Sequence, residues 1–410
     1  MYNNLMPGFS ILAKPTGPLC NISCSYCYYL EKEKMYSENA DFKMNEETLE
    51  IFTRKYIHEQ PGPEVTFVWQ GGEPTLMGLD YYKHALELQR KYGSGKRIFN
   101  SLQTNGILLN DEWCSFFKKN NFLIGISIDG PEKIHDIYRL NRGGQGTFSK
   151  VMRGIELLKR HQVEFNTLTV VNNINSEHPK EIYAFLKQIG SKYMQFIPIV
   201  ERIASEFNEK DLSLVLPEYS RSTTMAPWSV SPLQYGKFLK AIFQEWVKKD
   251  VGTYFVQTFD SALANELGMP PGLCTFAENC GDALAMEHNG DLYTCDHYVY
   301  SEYKMGNIKE GSLKKIILSD KQQQFGRNKH EALPRSCKRC DVYTYCRGEC
   351  PKHRFLTSTQ GEPELNYLCE GYKLFFRHVK PYIKYMANEL KNQRPPANVM
   401  RLSGKNNTFR

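Results

Sequence analysis

The chain reads as an α/β protein with a parallel sheet, followed by a small cysteine-rich domain and a terminal helix. Three observations predict this. Short apolar runs alternate with amphipathic periods from Phe9 to about Val200. Eight of the twelve cysteines crowd into Cys274–Cys369. A last helical period runs from about Tyr372 to Leu390.

Phe9–Ala13, Val65–Trp69, Arg97–Leu102, Leu123–Ile128, Phe165–Val171 and Tyr193–Val200 are rich in β-branched and aromatic residues and bounded by turn residues, the pattern of strands. Between them, Glu46–Glu59, Tyr81–Tyr92, Asp111–Asn121, Phe148–His161 and Lys180–Ile189 place apolar residues at three- and four-residue spacing, the pattern of helices. Six strands alternating with helices imply a parallel sheet with right-handed crossovers, either partly closed like an incomplete β/α barrel or open. Ile203–Val230 is polar and aperiodic, an insertion or linker, and Pro232–Asp250 is helical. The cysteine-rich part has few long periods, so metal rather than a core is expected to organise it. Its clearest local feature is a hairpin of Ala283–His288 and Asp291–Cys295 with a two-residue turn at Asn289-Gly290. The tail from Lys391 holds five basic residues, no acidic ones and two prolines, and is expected to be mobile. The organisation expected is 1–230 for the sheet domain, 231–273 for a connecting helical segment, 274–370 for the cysteine-rich domain and 371–410 for the last helix and tail.

A composition of 41% hydrophobic and 24% charged residues over 410 positions excludes wholesale disorder. The net charge of +7 is a mild excess that does not by itself indicate nucleic acid. Met1–Ser10 lacks the pattern of a secretory signal, and the most apolar stretch, Phe122–Ile128, is too short to span a bilayer. A soluble cytoplasmic protein without membrane or nucleic-acid partners is expected. In that reducing compartment the cysteines point to metal or redox chemistry rather than disulfides.

Cys20, Cys24 and Cys27, spaced C-x3-C-x2-C, follow the first strand. Three thiolates on a four-iron cubane leave one iron open, whereas a closed zinc site wants four ligands and no fourth is adjacent. With the aromatic Tyr28, this loop resembles the signature of the radical S-adenosylmethionine (SAM) superfamily, in which the open iron is chelated by the SAM methionine. Cys274, Cys280, Cys295, Cys337, Cys340, Cys346, Cys350 and Cys369 make two four-ligand sets for either zinc or clusters. With Gly290, they resemble the auxiliary-cluster domain called SPASM. That resemblance implies Cys274, Cys280, Cys295 and Cys350 for one cluster and Cys337, Cys340, Cys346 and Cys369 for the other. Cys114 lies in an amphipathic helix and reads as an inert core thiol.

Other residues carry chemistry beside the loop. In Gln70-Gly-Gly-Glu-Pro74 the glycines, Gly72 among them, allow close backbone approach, and Glu73 can accept from an ammonium. In this context the segment resembles the superfamily's site for the SAM amine. Ser127 ends a strand and by resemblance touches SAM. Arg139 can form a bidentate pair with a carboxylate, and the family uses it on the methionine carboxylate. Tyr26 and Val200 match positions that line the SAM pocket. Asp296 directly follows Cys295, where an acid can cap a turn or serve the cluster environment; Asp129, Asp260 and His297 are rival acid–base groups, Asp260 reading more simply as a helix cap.

As a whole the chain resembles the anaerobic sulfatase-maturating enzymes, from about Phe9 to Met400. The resemblance includes Lys14-Pro15, Tyr28-Tyr29, Trp69-Gln-Gly-Gly-Glu-Pro74, Gln103-Thr-Asn-Gly106, Ser127-Ile-Asp-Gly-Pro131, Gln195-Phe196, Asn289-Gly-Asp291, Cys295-Asp-His297 and Leu365-Asn-Tyr-Leu-Cys369. It implies a partial (β/α)6 radical SAM barrel, three [4Fe-4S] clusters and SAM. It also implies oxidation of a serine or cysteine in an unfolded or nascent sulfatase peptide to Cα-formylglycine, with an electron donor such as flavodoxin or ferredoxin. In that reaction a 5′-deoxyadenosyl radical removes a β-hydrogen, Asp296 is the proton acceptor and an auxiliary cluster takes the second electron. Tyr29 and Gln70 match positions facing the peptide. Competing readings are a SPASM-type enzyme that crosslinks another ribosomal peptide, and a zinc-module protein that binds nucleic acid.

Overall fold

The computed structural model describes residues 8–37, 40–205, 213–216, 218–219 and 221–403. Helix starts are set by side chains close in sequence. Asn45 accepts from Thr48 N and Asn110 from Trp113 N, while Ser231 and Gln234 form a reciprocal capping box under Pro232. These caps begin helices α1 (Glu46–Glu59), α2 (Asp111–Lys119) and α3 (Pro232–Lys249).

The six expected strands form. They are β1 (Ser10–Ala13), β2 (Glu64–Trp69), β3 (Arg97–Thr104), β4 (Leu123–Ser127), β5 (Phe165–Val171) and β6 (Tyr193–Pro198). They pair parallel in chain order, so all six carboxyl ends open on one side. Helices pack the other face of each strand; Phe52 of α1 meets Phe67 and Trp69 of β2 at ring distances of 5.4 and 6.1 Å. The polar stretch after β6 contains a short ribbon of β7 (Arg202–Ala204) and β8 (Thr223–Met225). Part of the expected linker, at 206–212, 217 and 220, lies outside the described residues.

Four more strands extend the sheet. β9 (Phe255–Val256) adds beside β6, and β10 (Ala283–Met286) pairs parallel with β1, followed by antiparallel β11 (Asp291–Tyr293) and β12 (Lys304–Asn307). The ten-stranded sheet has β12 and β9 as its edges, so hydrogen bonding does not close the barrel. Leu284, Met286, Leu292, Leu313, Val342 and Phe375 belong to the same buried cluster as the barrel interior. This corrects the expectation that metal alone organises the cysteine-rich part. The hairpin turn is corrected too. Glu287 N donates to Asp291 O and Gly290 N to Glu287 O, and positive φ occurs at Gly290 (+85°) but not at Asn289. Either primed two-residue turn needs positive φ at its first residue, here Asn289.

The last helix, Cys369–Lys391, crosses α3 where two glycines meet. A Cβ on Gly371 would lie 1.9 Å from Pro232 O, and one on Gly236 would lie 2.4 Å from Gly371 O. The expectation of a mobile tail is corrected for 391–403. Val399 is fully buried, and Arg394 and Asn398 hydrogen-bond to Glu389.

Candidate active site

The carboxyl ends of the six parallel strands enclose a cavity of about 240 Å³. In open parallel α/β sheets and barrels this end holds the ligands. Cys20, Cys24 and Cys27 line it from the loop after β1. The loop is fixed by backbone bonds from Ser23 N to Leu140 O and Ser25 N to Tyr138 O, and by Arg142 Nε to Cys20 O at 3.0 Å. Burial, then the charge of Glu73, pushes the Cys20 thiol up to about 12; burial also pushes Cys24 to about 12 and raises Cys27. Three such thiols side by side become thiolates only when a cationic centre binds them, because metal coordination deprotonates a thiol outright. No three His, Cys, Asp or Glu side chains among the described residues close on one point as ligands of a single ion do. The three thiols would hold a cluster and would leave one of its irons without a protein ligand.

Arg139 and Tyr26 line the cavity. Arg139 Nη1 donates to Tyr26 Oη at 2.9 Å, and Tyr26 Oη donates to Asp129 Oδ2 at 2.5 Å. Arg139 Nε, buried, has no partner, so the guanidinium keeps a donor for a carboxylate. Ser127 lines the cavity and accepts from Gln103 Nε2 at 2.9 Å. Gly72 lines it as well, its backbone pressed on the cysteine loop: a Cβ there would lie 2.0 Å from Leu19 O.

Glu73 and Val200, the other two expected SAM contacts, lie next in sequence to residues that line the cavity. The Glu73 carboxylate accepts from Thr75 N, Thr75 Oγ1, Thr104 Oγ1 and Asn105 N, which ties its loop to the end of β3. Val200 is buried, and its neighbours Ile199 and Glu201 line the cavity in its place.

Asp296 lines the same cavity. Its Oδ1 lies 2.5 Å from the Lys14 ammonium, and its Oδ2 accepts from Tyr28 Oη at 2.7 Å. Burial pushes the carboxyl up, but Lys14, His297 and Tyr28 outweigh it and hold it at about 2. Lys14 is itself buried, 3.4 Å from the centre of the Tyr29 ring. Tyr29 and Gln70 both line the cavity, although the Tyr29 hydroxyl is committed to Glu287. His297 lines it too, with Nδ1 3.5 Å from Cys350 Sγ, and a buried Lys352–Glu201 ion pair closes the rim. Of the rival acids, Asp129 is bound to Tyr26 and Val170 N, while Asp260 lies outside the cavity. Asp260 also fails its expected capping role, because the cap position is Val256. Lys14, Tyr28, Asn105 and Lys352 were not singled out as site residues from sequence. Lys14, Tyr28 and Asn105 stand inside motifs that were, whereas nothing local marks Lys352.

The eight remaining ligand candidates lie in the cysteine-rich part. Cys337, Cys340, Cys346 and Cys369 line one small cavity of about 30 Å³. Burial raises the thiols of Cys280, Cys295 and Cys350, and each is raised further by Cys274. Arg354, fully buried, fixes the loop between the groups, donating to the carbonyls of Lys329, Gly348 and Glu349. Glu349 accepts in turn from His353 and Asn366. Cys114 is wholly buried in the hydrophobic core.

Residues 15–186 match the family model described as the radical SAM superfamily, and 274–341 the model described as an iron-sulfur cluster-binding domain. A serine-type anaerobic sulfatase-maturating enzyme of Bacteroides thetaiotaomicron is 51% identical over 391 residues, 95% of this chain and 94% of its own length. The chain belongs to the anaerobic sulfatase-maturating enzymes. It is therefore a radical SAM enzyme, and the zinc-module reading falls. A cysteine-type sulfatase-maturating enzyme of Clostridium perfringens is 34% identical over 94% of the chain and 100% of its own length. A solved structure of native anSMEcpe with bound AdoMet and Kp18Cys peptide superposes with a TM-score of 0.80 at 32% identity, covering 93% of this chain and 100% of that one. No helix among the described residues is long and apolar enough to cross a membrane.

Proposed function

We propose that this sulfatase-maturating enzyme oxidises a serine or cysteine of an unfolded or nascent sulfatase peptide to Cα-formylglycine. The observation that carries the reading is that Asp296, next to the auxiliary ligand Cys295, faces the same cavity as Cys20, Cys24 and Cys27. Bound to these residues, SAM and three [4Fe-4S] clusters would supply a hydrogen-abstracting radical at one wall and an electron acceptor at the other.

The chain's own residues do the rest. Arg139 holds the SAM carboxylate through its free Nε, with Tyr26, Ser127 and Gly72 shaping the pocket and Glu73 bracing the loops beneath it. Asp296 takes the hydroxyl or thiol proton of the substrate, held for that task by Lys14 and Tyr28. Gln70 and the Tyr29 ring border the peptide. The auxiliary sets are Cys274, Cys280, Cys295, Cys350 and Cys337, Cys340, Cys346, Cys369; full thiolate ligation suits them to passing electrons to or from a flavodoxin- or ferredoxin-like carrier. The work divides along the chain as 1–230 for SAM chemistry, 231–273 as a connector, 274–370 for the auxiliary clusters and 371–410 as a brace. The compartment is the cytoplasm, where a nascent peptide and a reduced carrier are both at hand.

Higher identity to the serine-type than to the cysteine-type relative favours serine as the residue oxidised. The test is anaerobic incubation of reconstituted enzyme with SAM, reductant and paired serine and cysteine peptides, read by mass spectrometry. A loss of two mass units from the serine peptide, trapped as a hydrazone, is expected. A crosslinked product, or no aldehyde from either peptide, overturns the proposal.

A further inference from the structure

His297 lines the active-site cavity, yet nothing in the proposed reaction uses its ring. Two contacts hold that ring. Tyr28 meets it edge-on, with centroids 5.7 Å apart and planes at 89°, and its Nδ1 lies 3.5 Å from Cys350 Sγ, within hydrogen-bond reach of a sulfur. Among the described residues the ring has no other hydrogen-bond partner. Tyr28 in turn donates its Oη to Asp296 Oδ2 at 2.7 Å, so one run of contacts joins the proton-accepting carboxylate to an auxiliary cysteine. Behind the ring, His353 sits 6.5 Å away, its own Nδ1 held 2.9 Å from Glu349 Oε2.

The direction of the bond to Cys350 follows from chemistry. A cysteine that ligates iron is a thiolate and can only accept, so Nδ1 must carry the hydrogen and donate it. Hydrogen bonds to the sulfurs of a cluster stabilise its reduced state and raise its reduction potential. Backbone groups already do this nearby. Burial raises the thiols of Cys295 and Cys350, and the backbone N–H groups of His297 and Lys352, respectively, work against it. Those bonds belong to the fold and survive any substitution. Among the described residues, no other side chain donates to Cys274, Cys280, Cys295 or Cys350, so the His297 ring is the donor that a mutation can remove.

We propose that His297 is a positioning residue for the second half of the oxidation: its Nδ1–H, donated to Cys350, raises the potential of the auxiliary cluster so that it accepts the substrate's electron. The inference rests on the reading that Cys350 ligates such a cluster. A serine that has lost its β-hydrogen must give up one more electron and its hydroxyl proton to become the aldehyde. Asp296 takes the proton, and the electron reduces the iron bound through Cys350 by one. The ring that tunes this iron also packs on Tyr28, which holds Asp296, so the acceptors of proton and electron are kept side by side.

The test compares reconstituted wild type, His297→Phe and His297→Asn. Phenylalanine keeps a ring against Tyr28 but has no donor; asparagine gives up the ring and puts an amide N–H near the place of Nδ1. Each protein is titrated potentiometrically and followed by EPR, with iron content and thermal unfolding measured alongside. In the Phe variant one reduction wave should move to lower potential by about 59 mV, a tenfold fall in the ratio of reduced to oxidised cluster at a fixed potential. The Asn variant should stay near wild type. Aldehyde formed per deoxyadenosine should fall in the Phe variant and recover in the Asn variant. Unmoved waves in an iron-replete Phe variant, or equal movement in both variants, overturn the proposal. Wild type grown on histidine with isotopically labelled nitrogen gives a reading that needs no variant. A weakly coupled histidine nitrogen should appear in the pulsed EPR spectrum of a reduced auxiliary cluster, and its absence overturns the hydrogen bond. Zinc in place of the auxiliary iron overturns this inference together with the auxiliary-cluster reading, whereas full iron with unmoved waves overturns the hydrogen bond alone.

Discussion

The two walls of the active-site cavity are built by different means. The wall of Cys20, Cys24 and Cys27 is assembled by regular structure: parallel strands deliver their carboxyl ends to one place, and the cysteine loop is pinned by backbone hydrogen bonds. The second wall, from Asp296 to His353, is assembled by irregular loops whose shape depends on buried polar side chains, chiefly Arg354, Glu349 and Lys14. A wall made by a sheet survives the loss of a single polar side chain, because its register is set by many ladder bonds. A wall made by loops does not.

Substitutions at the two walls should separate their duties. Cys24→Ala removes one of three thiolates around an open iron and is expected to abolish formation of 5′-deoxyadenosine. Cys340→Ala, in the second auxiliary set, should leave SAM cleavage measurable and lower the yield of aldehyde per deoxyadenosine. Wild-type deoxyadenosine formation by the Cys24 variant would remove the radical chemistry from this wall.

Arg354→Met tests the loop-built wall without touching a ligand. It leaves the carbonyls of Lys329, Gly348 and Glu349 without their buried donor, which costs about 3 kcal/mol. Thermal unfolding and iron analysis check it. The variant should lose auxiliary iron first and keep the SAM-dependent step. Equal loss of all iron would show that the two walls stand or fall together.

The difference between the walls also explains what could be read from sequence. The six strands and five helices of the barrel were legible because period two and period 3.6 are local properties of the chain. β9, only two residues long, gave no period to find. The pairing of β10 with β1 joins residues more than 270 positions apart, and no local pattern encodes such a partner. Spacing marked the cysteines as ligands but could not sort eight of them into two sets; that sorting came from the resemblance. The partners of the Glu73 carboxylate, Thr104 and Asn105 at the end of β3, could not be read from sequence, because a carboxylate's partners lie wherever the chain folds back. Tail mobility was inferred from composition, and Val399 finding a place in the core overrode it.

A smaller effect concerns the brace behind both walls. His378, on the last helix, packs edge-on to Phe243; burial, then Lys240, lowers its ring to about 4 from an ordinary 6.5. A histidine whose folded value is depressed is neutral in the fold and charges on unfolding. Its contribution is full above about pH 6.5 and is lost as pH falls towards 4. The ring is partly exposed, so screening leaves about 1 kcal/mol. His378→Phe should flatten the stability profile between pH 4 and 6.5 in urea titrations; an unchanged slope would place the acid sensitivity elsewhere.

The central claim is that the loop-built wall takes the substrate's proton while the sheet-built wall makes the radical. Asp296→Asn tests it most directly, because asparagine keeps the shape of the side chain but cannot accept the proton. Peptide aldehyde and 5′-deoxyadenosine are measured in the same reaction, on protein whose iron content matches wild type. Aldehyde should fall by about two orders of magnitude or more, the scale of removing a positioned base, while deoxyadenosine still forms. Full aldehyde yield from the Asp296 variant, or loss of both products together, would contradict the division.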